Sequence, residues 1–140
     1  MSKIADAEIA EFIYRVVHDG SNYRMTAMEK LHTADMSILS PSKEGAITRA
    51  PREDVFGEFA ARGSNGDAPL STEYKILHIE EQGDHATALL YRRMSDASPP
   101  FLYELRLRRD AQSWRVSGET VTPWPDPRKA GTFLPPRQNA

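Results

Sequence analysis

Few side chains in this 140-residue chain could do chemistry, and their types narrow what that chemistry is. There are no cysteines, which removes disulfides, thiolate metal sites and cysteine nucleophiles. The four histidines, His18, His32, His78 and His85, lack the His-x-x-x-His type of spacing, so no metal site is expected. No glycine-rich phosphate loop, nucleophile elbow or kinase signature occurs, and no cofactor is expected. What remains is acid–base and anion chemistry. His78 titrates near neutrality and could act as acid or base. Its neighbours Glu80 and Glu81 equally suit an ordinary exposed histidine. Arg92 falls on the same strand face as Ala86, Ala88 and Leu90. An arginine there marks a sheet edge, a dimer contact or a clamp for a carboxylate or phenolate.

The elements that would position these residues follow from hydrophobic period. Ile9, Phe12, Ile13, Val16 and Val17 keep the i, i+3, i+4, i+7, i+8 pattern of an amphipathic helix over 6–18, capped by Asp6 and stopped by Gly20. A shorter helix is predicted over 24–31, with Met25, Met28 and Leu31 on one side. Residues 33–41 read as a short strand ended by Pro41. A polar loop follows, with a brief extended piece at Ala46-Ile47-Thr48. Pro51 opens a third helix whose stripe is Val55, Phe56, Phe59 and Ala60, ending near Arg62. Residues 63–69 are a loop by composition.

The second half alternates with period two. The strand over 72–81 puts Tyr74, Ile76 and His78 on one face. A second strand covers 85–94. A third places Phe101, Tyr103, Leu105 and Leu107 inward, and the last runs over 113–122 with Trp114 lining the core or a cavity. The segment 123–140 holds five of the ten prolines and reads as an extended arm, with Trp124 as an anchor. Helices first, then a run of strands, predicts one α+β domain over 1–122 with helices packed on a curved sheet.

Composition sets the class. Hydrophobic residues are 39%, charged residues 27%, and the formal net charge is −2. That balance lacks the basic face of a nucleic-acid binder. No run approaches the ~20 apolar residues of a membrane helix, and the N-terminus carries no signal-like apolar run. The expectation is a cytoplasmic protein with neither nucleic-acid nor membrane partners.

The order of elements resembles the cone-shaped nuclear-transport-factor-2-like (SnoaL-like, cystatin-like) fold. The likeness rests on His18-Asp19-Gly20 at a helix end, the Leu31-to-Leu39 stretch with Ala34-Asp35, the helix after Pro51, the hairpin with its Gly83-Asp84 turn, and the Leu105-Arg106-Leu107-Arg108 and Trp114-Arg115-Val116 strands. It implies a curved antiparallel or mixed sheet around N-terminal helices, commonly a homodimer. By comparison with the ketosteroid-isomerase branch, Tyr14 and Tyr103 stand where two oxyanion donors would be. Ser40-Pro41 replaces the general-base Asp-Pro, so proton-transfer chemistry of that kind lacks its base. Asp35 falls at a corner where dehydratase and cyclase relatives place a helpful acid, and is otherwise a turn or capping residue.

Three functions follow as expectations. The first is binding of a small apolar or aromatic molecule, with Tyr14, Arg92, Tyr103 and Trp114 around it. The second is a SnoaL-like or dehydratase-like enzyme using Asp35 or His78 as acid/base. The third is an assembly domain whose cone holds no ligand.

Overall fold

The computed structural model describes residues 3–42 and 44–123. The expected arm over 123–140 lies, beyond Pro123, outside the described residues. Three helices, α1 (Lys3–Ser21), α2 (Met25–Leu31) and α3 (Arg52–Ser64), accompany six strands. These are β1 (Ser37–Pro41), β2 (Ile47–Pro51), β3 (Glu73–Gln82), β4 (His85–Arg93), β5 (Phe101–Asp110) and β6 (Ser113–Pro123). They form one sheet in the order β2-β1-β6-β5-β4-β3. All neighbours are antiparallel except β1 and β6, which run parallel. This is the expected α+β cone, with a curved, mixed and unclosed sheet.

The helix α1 buries the predicted stripe: Ile9, Phe12, Ile13 and Val17 lie against Ala86, Ala88, Leu107, Trp114 and Val116. The alanines on β4 let the helix approach the sheet closely. Its C-terminus differs from expectation. Gly20 stays inside the helix, and the left-handed residue is Tyr23 at φ 56°. Tyr23 is held there by its ring against Phe59, at 6.0 Å, and by its hydroxyl, which donates to the Ala68 carbonyl at 2.8 Å. The two tight hairpins turn at Gly83, φ 64°, and at Ala111 and Gln112, φ 48° and 74°. Positive φ at both central residues, Ala111 and Gln112, suits a type I′ turn, and a single positive φ at Gly83 suits a type II′ turn.

Two register shifts decide which side chains face inward. On β3 the pairing with β4 slips between Ile76 and His78. One residue then stands unpaired, and alternation reverses. Tyr74, Ile76 and Ile79 therefore pack on the core, while His78 points to solvent. The uninterrupted alternation expected for 72–81 is corrected by that bulge. On β6, Arg106 pairs with Gly118 but Leu107 with Val116, leaving Ser117 as the extra residue. Trp114 and Val116 face inward before the bulge. Glu119, opposite inward-facing Leu105, faces inward after it.

Candidate functional site

Where the sheet diverges from the helices, it leaves a part-open cavity of about 180 Å³. Its wall is mostly apolar, with Val17 from α1, Met28 from α2, Met36 and Ile38 around β1, Val55 from α3, and Leu90 and Leu105 from the sheet. Five polar side chains interrupt it: Ser21, His32, Arg92, Tyr103 and Glu119.

The sheet register brings three of these together. Leu90 stands opposite Tyr103, Leu105 opposite Glu119, and Glu119 beside Ile38 of the parallel strand β1. Directly opposed residues share a sheet face, so Tyr103 and Glu119 project toward the same space as Leu90 and, two residues on, Arg92. His32 enters from the C-terminal end of α2, where a bridge to Val116 fixes the backbone.

Arg92 is 5% exposed. Its Nη2 donates to Ser21 Oγ at 2.9 Å and to the Ser71 carbonyl at 3.1 Å, and its Nε approaches Met94 Sδ at 3.4 Å. Its Nη1 is buried and has no partner among the described residues. Burial disfavours its charge, but a guanidinium stays protonated, so a cation sits here among neutral acceptors.

Glu119 is 8% exposed, and burial raises its pKa to about 7, against the opposing pull of Arg92 and Arg106. His32 Nε2 lies 3.9 Å from Glu119 Oε2. The His32 Nδ1 is 2.8 Å from the Met28 carbonyl. A carbonyl can only accept, so Nδ1 carries the proton and Nε2 presents a lone pair toward Glu119. Burial holds His32 below its ordinary value despite that hydrogen bond, and the charge of Arg52 pushes the same way. With imidazole neutral, the contact is no ion pair, and at 3.9 Å it is longer than a hydrogen bond. Tyr103 is likewise kept as a neutral phenol, first by burial and then by the Glu119 charge.

The other residues singled out by sequence lie elsewhere. Tyr14 is 52% exposed and stacks on His18 at 4.0 Å, because it projects from the flank of α1, one residue beyond inward-facing Ile13. Asp35 is exposed, accepts from Thr33 Oγ1 at 2.6 Å and pairs with Arg108 at 3.3 Å. The Thr33 hydroxyl and then the Arg108 charge hold its pKa below the usual value. That is a turn residue's role. His78, on the outer face, lies 2.9 Å from Glu80. Trp114 is buried beneath the Arg109 guanidinium, 4.6 Å from its ring centre, and borders a separate charged groove with Glu11, Arg15 and Lys30. Of the six, only Arg92 and Tyr103 line the cavity. Sequence reasoning missed Glu119 and His32. The signal for Glu119 was Gly118, since an isolated glycine inside a strand marks a bulge.

No protein-family model and no curated protein matches the sequence. Solved structures do match in shape. A nuclear-transport-factor-2-like protein of unknown function from Shewanella baltica superposes with TM-score 0.70 at 16% identity, over 90% of this chain and 99% of that one. One from Cytophaga hutchinsonii gives 0.64 at 15% identity, over 89% and 100%. A domain of unknown function with a cystatin-like fold from Nostoc punctiforme gives 0.65 at 10% identity, over 95% and 85%. The fold is therefore the nuclear-transport-factor-2-like one, and identities this low carry the fold alone.

Proposed function

We propose that the protein binds a small organic molecule in the cavity between the sheet and the three helices. The observation that supports this reading most directly is the lining itself. An apolar wall with a few convergent polar groups is how ligand pockets orient their occupants. Here Arg92, Tyr103, Glu119 and His32 gather at one wall of a cavity that is otherwise aliphatic and thioether. A space left open merely by poor packing would have no reason to carry a buried arginine and a buried glutamate, each costly to desolvate.

Volume limits the occupant. An apolar cavity of ~150 Å³ holds one benzene ring, so about 180 Å³ admits a single ring or short branched chain with one polar substituent. Larger occupants would have to protrude through the open side. The acid/base enzyme reading built on Asp35 or His78 has no geometric support, since neither side chain borders this space.

A thermal-shift and calorimetric titration against neutral single-ring compounds such as benzyl alcohol tests the proposal. A ligand that binds only the folded state raises the melting temperature by mass action. Binding is expected in the native protein and weakened in Val55→Phe, whose larger side chain narrows the cavity. Equal binding by native protein and a folded Val55→Phe variant would place the ligand elsewhere and defeat the proposal.

A further inference from the structure

We propose that the preferred occupant is a small organic anion, a carboxylate on an apolar body of about one ring, and that it enters together with a proton held on Glu119. This rests on the cavity reading above and specifies its ligand.

Charge and hydrogen-bond geometry carry the argument. Arg92 is buried, its satisfied donors meet only neutral acceptors, and its Nη1 has no partner among the described residues. No described carboxylate forms an ion pair with it, although Glu119 shares the cavity wall. A buried guanidinium without a bound carboxylate favours an incoming one, and the planar fork is suited to it. The Tyr103 hydroxyl, on the same wall, is a second donor.

Glu119 is the acid among the lining residues, and its state decides whether an anion is welcome. Ionised, it cancels the Arg92 charge and repels a carboxylate. Protonated, it leaves the cavity positive and becomes a donor itself. Burial makes protonation accessible near neutrality. Arg92 from β4 and Arg106 from β5 favour the ionised form, and burial opposes them. Tyr103 of β5 is neutral, and Ile38 of β1 contributes no charge. His32, at the end of α2, has its Nε2 3.9 Å away, beyond hydrogen-bond distance, and is kept neutral by burial and by Arg52 of α3, so it adds no positive charge beside Glu119. Tyr74 of β3 faces Arg92 as a neutral phenol, and α1 supplies Ser21 to the polar cluster.

The test compares benzoate, ionised from pH 6 to 8.5, with neutral benzyl alcohol by isothermal titration. In the native protein, the benzoate Kd is expected to weaken by about tenfold or more from pH 6 to 8.5. The benzyl alcohol Kd stays level. In Glu119→Gln, benzoate binding becomes independent of pH, and in Arg92→Met benzoate loses far more affinity than benzyl alcohol does. Should Glu119→Gln not fold, binding heats of the native protein in two buffers of different ionisation enthalpy report the same proton uptake. Benzoate binding that is level with pH, or takes up no proton, overturns the proposal. If benzyl alcohol binds in that case, the cavity reading stands alone. Failure of the native protein to bind either compound removes both.

Discussion

Along β4, β5 and β6 the inner face of the sheet changes character within two residues. On one side, Ala86, Ala88, Leu107, Trp114 and Val116 meet Ile9, Phe12 and Ile13 of α1 in a close-packed core. On the other, Arg92, Tyr103 and Glu119, with Leu90 at the edge of that core, line the cavity. The same three strands build both regions, and the β6 bulge at Ser117 lies between them. The packed region stabilises the fold, whereas the open region lowers its stability by burying a cation and an acid without pairing them. A protein departs from good packing and full polar satisfaction mainly where function needs it. The contrast therefore points to the open region as the site.

Substitutions should separate the two regions, beginning with the largest effect. Ile13→Ala removes a fully buried side chain from the packed side, and is expected to cost about 2–5 kcal/mol in denaturant unfolding. Glu119→Gln should alter the pH dependence of stability. The folded-state pKa of Glu119 is raised to about 7 from 4.5, so the folded protein binds the proton more tightly than the unfolded chain. Its contribution is fully favourable below pH 4.5 and is lost as pH rises through 7. The whole difference is about 3 kcal/mol. Melting curves at pH 5 and 8 should show the native protein losing stability over this interval and the Gln variant losing much less.

Tyr103→Phe, at the polar wall, should leave stability within ~1 kcal/mol while weakening a hydrogen-bonding ligand about tenfold. At the bottom of the scale, Asp35→Asn and His78→Ala change exposed groups outside both regions. Each should leave the melting temperature and ligand binding essentially unchanged. A large loss of binding in either would erase the distinction between cavity and surface on which the account depends.

Much of this was legible in the sequence. The strict alternation of β5 placed Tyr103 inward, and the small residues of β4 placed Arg92 on their own face. Those patterns are local and unbroken. What could not be read depends on breaks in pattern. The bulge on β3 turned His78 outward, and the one on β6 turned Glu119 inward, because a single extra residue reverses every side chain beyond it. Tyr14 was misplaced for a different reason. One helical residue is a rotation of about 100°, enough to carry a side chain from the core stripe to the flank. His32 was obscured because helix ends are held by tertiary contacts, here the bridge to Val116.

Methionine methyl NMR tests the central claim most directly. Met28, Met36 and Met94 line the cavity, and Met25, on α2, does not. Titration with benzyl alcohol or benzoate at pH 6 should move the Met28, Met36 and Met94 methyl resonances together, saturably, with one Kd, and leave Met25 in place. If these ligands bind while the three cavity methyls stay still, or if Met25 alone moves, the ligand sits outside the cavity and the account is contradicted.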